Sequence, residues 1–212
     1  EGLAQWSRPR WNMAPTDLVP AVLERTREQG DIRLLTGLRW GLVPSWSKTP
    51  NAGARMINAR LETVDVKPAF RKAFASRRCL LPADGYYEWR AASRQGRSYK
   101  QPYFICPASG LMVMAGVYEF WRDGSSGDWL VTCAIITTQA ADDLGAIHDR
   151  MPVQVSRENW DAWLDPACTD ASAAKALVHI PEPGEMLARP VSTKVNQVGN
   201  DGPELVSPVE LE

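Results

Sequence analysis

The stretch RRCLLPADGYYEW, residues 77–89, decides the fold. Its apolar centre, residues 79–81, is typical of a buried strand. Proline, aspartate and glycine follow within residues 82–85 and predict a turn. The stretch closes in the aromatic run Tyr-Tyr-Glu-Trp, residues 86–89, where the chain becomes extended again. We therefore expect a buried strand, a turn and a strand end here.

Glu88 is the candidate for chemistry in this stretch. It is a lone carboxylate that closes an aromatic cluster directly after the turn. A carboxylate between aromatic rings loses water and gains a proton more easily, which suits general acid–base catalysis. The alternative is a solvated glutamate at the end of a strand. Glu119 stands in a similar aromatic setting and is the competing candidate.

The rest of the chain is predicted to form many short strands and a few helices. Turn residues separate predicted strands at 18–23, 32–40, 102–106, 111–118, 129–138 and 151–155. Helical patterns occupy 68–76, 157–164 and 171–179, and residues 91–101 and 200–212 read as a polar loop and a frayed tail. No repeat or composition break divides residues 1–212. The expected fold class is α+β: a single domain with a β-rich, curved or barrel-like sheet core flanked by short helices.

Composition excludes several classes of protein. The 212 residues are 44% hydrophobic and 23% charged, as in soluble globular proteins. No apolar run reaches the ~20 residues of a membrane span, and the first residues lack a signal-peptide core. The four cysteines are widely spaced and are expected to be reduced, as in a cytosolic protein. With two histidines and no ligand spacing, we expect no metal site.

The net charge of −1 hides an asymmetry along the chain. Residues 55–100 contain eleven Lys or Arg and four Asp or Glu, whereas residues 101–212 contain six and sixteen. A basic middle segment favours a face that binds a polyanion such as nucleic acid. The alternative is a solvated surface on which the charges cancel in three dimensions.

Three further segments carry candidate site residues. The sequence WGLVPSW, residues 40–46, is either a loop packed on the core or a ring-and-proline wedge that stacks on bases. Asn58 and Arg60 share a face of an extended chain, where they would suit a phosphate or an ordered turn. His148 lies in a polar loop beside a carboxylate, so it is either a proton shuttle or a hydrogen-bonded structural histidine.

Five phrases taken together resemble the SOS-response-associated peptidase (SRAP) family. They are WNMAPT, WGLVPSW, NARLET, PAFR followed by RRCLLPADGYYEW, and IHDRMP, and the later RPVSTKVN adds to them. The resemblance extends from about residue 12 to residue 196. It implies a barrel-like α+β domain that binds single-stranded DNA and single/double-strand junctions. It also implies covalent trapping of abasic sites by an N-terminal cysteine, as a thiazolidine, with possible autopeptidase processing of the N-terminus.

The resemblance also implies roles for individual residues. Catalytic roles fall on Asn58, Glu88 and His148, which should converge on one pocket near the start of the chain. DNA-binding roles fall on Asn12, Trp40, Pro44, Trp46, Arg60 and Arg150. The basic residues Arg71, Arg77 and Arg78 are added to this DNA-binding set on charge. No metal or organic cofactor is implied, and we expect a cytoplasmic monomer that associates with the nucleoid when bound to DNA.

The sequence departs from the family pattern at its beginning. It starts at Glu1 and lacks the Cys-Gly-Arg opening that carries the nucleophile in the family. We expect those residues to precede Glu1. Two alternative functions remain: a thiol-dependent peptidase, and a single-stranded DNA-binding module that forms no covalent bond.

Overall fold

The computed structural model describes residues 8–28, 30–94, 96–140 and 142–211. The strands are β1 (Leu18–Arg27), β2 (Gly30–Trp40), β3 (Asn58–Arg60), β4 (Arg78–Ala83), β5 (Tyr86–Arg94), β6 (Arg97–Pro107), β7 (Met112–Arg122), β8 (Trp129–Gln139), β9 (Arg150–Pro152), β10 (Gln154–Val155), β11 (Val178–His179) and β12 (Met186–Pro190). The α-helices are α1 (Arg71–Ser76), α2 (Asp142–Gly145), α3 (Trp160–Leu164) and α4 (Ala171–Ala176). Short 3₁₀ helices cover Pro50–Arg55, Arg157–Asn159, Thr193–Asn196 and Pro203–Val206.

Five strands close into a barrel, which confirms the predicted fold class. Antiparallel pairing joins β2 to β1, β1 to β4, β4 to β7 and β7 to β8. The ring closes through a short parallel pairing of β2 with β8. Strands β3, β9, β10 and β11 extend the same sheet beyond the ring. A barrel this small is filled by its own side chains.

The barrel strands are apolar on both faces, and each face has its own core. On β7, Met112, Met114 and Tyr118 point into the barrel, whereas the alternate residues Val113 and Val117 pack outward. The outer core includes Phe74 of α1 and Trp163 of α3, which are fully buried. Because side chains alternate along a strand, a strand covered on both sides reads as a continuous apolar run. This explains why residues 79–81 and 112–118 lack a polar alternation.

Two of the cysteines lie inside the barrel. Cys79 and Cys133 are completely buried, and burial raises the pKa of both thiols well above the ordinary value. A thiol of this kind behaves as a small hydrophobic side chain and not as a nucleophile. All four cysteines are unpaired in the structure.

A second sheet, with strand order β12-β6-β5, carries Glu88. Its β5–β6 hairpin corrects the prediction of a polar loop at residues 91–101, because the antiparallel ladder continues to the pair Arg94 and Arg97. The far half of this hairpin is largely exposed. It therefore lacks the apolar alternation by which a strand is predicted from sequence, and backbone hydrogen bonds alone define it.

Two further predictions near the C-terminus are wrong. Helix α4 ends at Ala176, and His179 belongs to strand β11, where its imidazole pairs with the Glu185 carboxylate at 2.6 Å. The predicted frayed tail contains a 3₁₀ helix whose Leu205 is completely buried, so packing holds this segment in place. Within the described residues, no helix has the length and apolarity needed to cross a membrane.

The turn at Gly85 generates a stability prediction. A Cβ atom there would collide with the backbone carbonyl of Ile105 and lie 2.5 Å from the Phe104 ring. We expect Gly85→Ala to lower the free energy of unfolding by roughly 1–3 kcal/mol, because the clash is with backbone and a packed ring. Chemical denaturation measures this change.

Gly124→Ala is the matched control, because a Cβ at Gly124 meets nothing within 4 Å. We expect that variant to stay within about 0.5 kcal/mol of the parent protein. Equal stability of the two variants would contradict the close approach at Gly85.

Candidate functional site

Glu88 lies on β5 opposite Tyr103 of β6, and its side chain is only 22% exposed. Burial raises the pKa of its carboxyl above the ordinary value. The electrostatic effect of the neighbouring His148 and a hydrogen bond from the backbone N–H of Trp89 oppose part of this rise in pKa. The strand fixes the carboxylate in a position with little water around it. Glu88 therefore holds a proton more readily than a solvated glutamate does.

His148 faces Glu88 from a different part of the chain. Its Nδ1 lies 3.6 Å from Oε1 of Glu88 and 3.6 Å from Oδ1 of Asp149. The same Nδ1 is 3.1 Å from the backbone nitrogen of Arg150 and 3.2 Å from its carbonyl oxygen. A carboxyl and an imidazole this close can exchange a proton through a substrate atom or a water placed between them.

The two groups line an open cleft of ≈ 390 Å³, hereafter the Glu88 cleft. Trp89, Lys100 and Asn196 complete its described lining. The indole N–H of Trp89 donates to Oδ1 of Asn196 at 2.8 Å, which ties β5 to the 3₁₀ helix Thr193–Asn196. Lys100 and Asn196 were not predicted as site residues. Asn196 ends the phrase RPVSTKVN, which was the available signal for it.

The first described residues of the chain pack against β5 and against the segment that carries Asn196. The Tyr87 hydroxyl donates to the carbonyl of Trp11 at 2.8 Å, beside Glu88 in sequence. Asn12 is buried, and its amide donates to the carbonyls of Val195, Gln197 and Asn200. Asn12 therefore fixes the entering chain to the segment that carries Asn196. Its amide nitrogen is committed to the protein backbone, which does not fit the predicted nucleotide contact.

Asn58 lies on β3 of the larger sheet, whereas Glu88 lies on β5 of the smaller one. Strand β3 runs parallel to β8, with Asn58 opposite Ile135 and Arg60 opposite Thr137. Both side chains are exposed. The described residues that line the Glu88 cleft include Glu88 and His148 but not Asn58. The sequence analysis also predicted that this pocket lies near the start of the chain. That prediction falls on residues 1–7, which lie outside the described residues.

The 40–46 loop offers one exposed ring. The Trp40 indole N–H donates to the carbonyl of Ile57 at 2.9 Å, and Pro44 is buried. Both therefore hold the loop against the protein. Trp46 is 57% exposed and presents its ring to solvent. Gly41 has φ +125°, and a Cβ there would lie 2.7 Å from the Gly53 carbonyl oxygen, so this loop depends on a glycine in the left-handed region.

The predicted DNA-binding arginines divide into those that are exposed and those that bind other groups of the protein. Arg71 is exposed on α1, as Arg60 is on β3. Arg77 is bound to the Glu119 carboxylate at 2.8 Å, which also gives Glu119 a structural role. Arg78 is 2% exposed and is a correction to the predicted set. Among the described residues, its guanidinium donates to the backbone carbonyls of Phe74, Ala75, Trp163 and Asp165.

Arg150 is bound to Glu62 by two hydrogen bonds. Its Nη1 donates to Oε1 and its Nη2 to Oε2 of that carboxylate, each at 2.9 Å. The guanidinium holds the pKa of Glu62 at about 2, so this carboxylate stays ionised at neutral pH. Sequence reasoning did not single out Glu62, although it lies in the NARLET phrase. Within the described residues, no group of three or more His, Cys, Asp or Glu side chains could hold a metal ion.

Solved structures support the fold. A crystal structure of a protein from Bacteroides thetaiotaomicron aligns with a TM-score of 0.76 at 25% identity, covering 92% of this chain and 82% of that one. A phage-related protein from Bordetella bronchiseptica aligns with a TM-score of 0.67 at 33% identity, covering 87% of this chain and 83% of that one.

Sequence comparison identifies the family. The family model described as SOS response associated peptidase (SRAP) matches residues 2–198. The chain is 40% identical over 199 residues to abasic site processing protein YoqW of Bacillus subtilis (strain 168), covering 93% of this chain and 85% of that protein. It is 36% identical over 233 residues to abasic site processing protein HMCES of Gallus gallus, covering 96% of this chain and 67% of that protein. The predicted resemblance is thereby confirmed, and the chain belongs to the SOS response associated peptidase family.

Proposed function

We propose that this protein processes abasic sites in DNA by binding single strands and single/double-strand junctions and trapping the abasic sugar covalently. One observation carries the proposal: a poorly solvated carboxylate, Glu88, faces an imidazole, His148, across an open cleft. Relatives that align over most of the chain are named abasic site processing proteins. A localisation in the cytoplasm, with the nucleoid when DNA is bound, and a monomeric state remain predictions.

Opening the sugar ring of an abasic site requires two proton transfers. An abasic deoxyribose is a closed hemiacetal in equilibrium with a ring-opened aldehyde. Opening the ring breaks the bond between C1′ and the ring oxygen, so that oxygen must receive a proton while the C1′ hydroxyl loses one. Attack by an amine then gives a carbinolamine, which loses water to form an imine. A neighbouring thiol adds to the imine carbon and closes a thiazolidine, with no change in oxidation state.

The nucleophile in this proposal is a cysteine that precedes Glu1. Cys79 and Cys133 are unsuited to the role, because burial raises the pKa of both thiols inside the barrel. The Tyr87 hydroxyl holds the Trp11 carbonyl, which fixes the entering chain to β5, the strand that carries Glu88. Ten preceding residues would span up to roughly 33–36 Å when extended, so a residue just before Glu1 has the reach to enter the cleft.

We assign the proton transfers to the facing pair. Glu88, with its raised pKa, would accept the proton that the amine nitrogen loses once it has added to the aldehyde, and would return it to the departing hydroxyl, which leaves as water. His148 would protonate the ring oxygen during opening, since its Nδ1 is already engaged by the Arg150 backbone and its other nitrogen remains for substrate. Asn58 would hydrogen-bond the N-terminal residue.

The DNA-binding surface in this proposal is smaller than the sequence predicted. Its exposed members are Trp46, Arg60 and Arg71. Trp46 would stack on a base, and the two arginines would bind backbone phosphates. The same thiol, with Glu88 and His148, would serve for autopeptidase processing of a segment before the cysteine.

The alternatives differ in a simple observable. A thiol-dependent peptidase acting on other proteins, or a DNA-binding module without covalent chemistry, leaves no adduct on abasic DNA. Denaturing electrophoresis of the full-length protein with abasic single-stranded DNA therefore separates the proposals. A shifted band that resists denaturant supports covalent trapping, and its absence supports one of the two alternatives.

Replacing the carboxylate should slow trapping and spare binding. We expect Glu88→Gln in the full-length protein to reduce the rate of adduct formation by roughly 10²–10⁴, the usual contribution of a positioned proton relay. Affinity for undamaged single strands should be unchanged. A time course on denaturing gels and an equilibrium binding titration measure the two quantities.

Asp149→Asn is the matched control for this variant. Asp149 is also 3.6 Å from Nδ1 of His148, but its side chain is 85% exposed. We expect its removal to leave the trapping rate nearly unchanged, because water screens an exposed charge. If the two variants slow trapping equally, the special role of Glu88 is excluded.

A pair of exposed tryptophans tests the stacking surface. We expect Trp46→Ala to weaken single-strand binding by roughly 1–3 kcal/mol, the usual value of one base–aromatic stack. Trp129→Ala should not weaken it, although Trp129 is 64% exposed and Trp46 57%. Fluorescence anisotropy with a labelled oligonucleotide measures both affinities. Equal losses of affinity in the two variants would mean that bases do not stack specifically on the 40–46 loop.

Salt dependence tests the phosphate contacts. For single strands, each phosphate contact adds about −0.7 to the slope of log affinity against log salt concentration. We expect Arg60→Gln and Arg71→Gln each to reduce the magnitude of the slope by about that amount. Arg157→Gln is the control, since Arg157 is exposed beside α3, outside the proposed surface. A slope that does not respond to either substitution would exclude the corresponding phosphate contact.

A further inference from the structure

We propose that the β5–β6 hairpin is an arm that binds the single-stranded DNA leaving the Glu88 cleft. Its binding surface consists of Arg90, Tyr99 and Arg97, hereafter the hairpin strip. The proposal rests on the proposed function for one point, that the abasic nucleotide occupies the cleft. It adds a binding surface on the smaller sheet, whose strands carry none of the DNA-binding residues predicted from sequence.

The far half of this hairpin has a concentrated positive charge. Residues 90–100 contain four Lys or Arg and no Asp or Glu. The β1–β2 hairpin provides an internal comparison, since residues 24–33 contain three Lys or Arg and three Asp or Glu. A ribbon whose charges all have one sign attracts a polyanion, whereas a ribbon of balanced charge does not.

Strand pairing places the hairpin strip on the same face of the sheet as Glu88. Side chains two residues apart on a strand share a face, and so do side chains directly opposite each other in an antiparallel ladder. Arg90 is two residues from Glu88, and Ala92, two residues further on, is opposite Tyr99. Arg97 is two residues from Tyr99. The strip therefore forms a row that begins beside Glu88 and follows the hairpin outward.

The strip lies where the sheet has become a two-stranded ribbon. The ladder between β12 and β6 ends at Tyr103, so residues 97–101 of β6 pair with β5. Gln101 and Tyr103 share the face of the strip and are buried, whereas all three members of the strip are exposed. A two-stranded ribbon outside a core gains little from packing. Its outer side chains therefore remain accessible to a ligand.

Arg90 is held in place for a phosphate. Its guanidinium carbon lies over the ring of Tyr103, 5.4 Å from the ring centroid, and Tyr103 is buried. Stacking uses the flat face of a guanidinium and leaves its N–H groups directed outward in the plane. A stacked arginine therefore loses less rotamer freedom when it binds a phosphate.

The hairpin is continuous with the Glu88 cleft. Lys100 follows Tyr99 on β6 and lines the cleft from the opposite face of the ribbon. Strand β5 is the last in the order β12-β6-β5, so side chains from both faces can border a cleft along its edge. A DNA strand that leaves the cleft along this edge meets Lys100 and Arg90 first.

The length of the strip determines how much DNA it can contact. Arg94, the ladder partner of Arg97, is six positions from Glu88 on β5. At about 3.3 Å per residue the strip extends roughly 20 Å from Glu88, which corresponds to about six nucleotides at 3.4 Å each. Tyr99 lies in the middle of the row and is 36% exposed. Unpaired bases can stack on such a ring, whereas the paired bases of a duplex cannot reach it.

Equilibrium binding of undamaged single strands tests the arm without any covalent step. We expect the double variant Arg90→Gln/Arg97→Gln of the full-length protein to reduce the magnitude of the salt slope by about 1.4, from two phosphate contacts of about 0.7 each. Affinity should fall roughly 25-fold at 0.1 M salt, the factor that this slope gives between 1 M and 0.1 M. An unchanged slope overturns the proposal. Arg97→Gln alone, with half the change in slope, decides the matter if the double variant does not fold.

Arg33→Gln/Arg157→Gln is the matched control, because it removes the same net charge from exposed arginines elsewhere. Arg33 lies on the β1–β2 hairpin and is paired with the carboxylates of Glu24 and Asp161. We expect this variant to keep the slope and the affinity of the parent protein. A loss equal to that of the hairpin variant would overturn the proposal, since net charge and not the hairpin would then govern binding.

Tyr99 distinguishes single strands from duplex. We expect Tyr99→Ala to weaken binding of single strands roughly fivefold or more, through the loss of one base–aromatic stack. Its affinity for a duplex of the same length should be unchanged. An equal loss for the duplex would overturn the assignment of single-stranded DNA to this surface.

Trapping of abasic DNA separates this proposal from the proposed function. With about twelve nucleotides on each side of the abasic site, Arg90→Gln/Arg97→Gln should trap DNA more slowly than the parent protein at subsaturating concentrations. With a single nucleotide on each side, the two proteins should trap DNA at equal rates, because the strand ends before the strip. A difference that persists on the short DNA would overturn the proposal, since the substitutions would then act within the cleft. If the salt slope responds but the parent protein forms no adduct, the arm stands and the covalent function fails.

Discussion

The site depends on the end of β8, because other strands pair with both of its edges there. Residues 137–139 pair with β9 on one side, and β3 runs beside residues 135–137 on the other. This brings the NARLET and IHDRMP phrases together, although Glu62 and Arg150 are 88 residues apart in the chain. The barrel makes the sharing possible, because β8 also pairs with β7 and β2 along its earlier part. A strand with partners on both edges cannot shift register without breaking both ladders.

Glu88 illustrates a second constraint, the cost of holding a carboxylate away from water. Its strand belongs to the smaller sheet, whose inner residues Tyr103 and Ile105 pack on the interior core of the barrel. The carboxylate is therefore fixed at a boundary between a packed core and an open cleft. Burial raises the pKa of the carboxyl, and the imidazole of His148 lowers it again in part. A carboxyl whose pKa lies above its ordinary value in this way is suited to proton transfer.

The positive charges show how far composition can mislead about a surface. The basic middle segment predicted a DNA-binding face that included Arg77, Arg78 and Arg150. Tertiary contacts use all three inside the protein: Arg77 binds Glu119, Arg150 binds Glu62, and Arg78 joins α1 and α3 through backbone carbonyls. The C-terminal ends of α1 and α3 leave backbone carbonyls without helical partners. The buried guanidinium of Arg78 donates to several of them at once. Counting arginines in a segment does not distinguish these roles.

The sequence by itself determined the fold class, the family and the pair Glu88 and His148, because apolar runs, turn residues and short phrases are local properties of the chain. It did not determine the β5–β6 hairpin beyond residue 91, the strand position of His179 or the packed tail around Leu205. Exposed ladders and short strands have no apolar period, and burial of a single leucine depends on distant neighbours. Only the tertiary structure decided which arginines are free, that Asn12 anchors the entering chain, and that Glu62 reaches Arg150. Those outcomes depend on partners from remote parts of the chain, which local sequence does not specify.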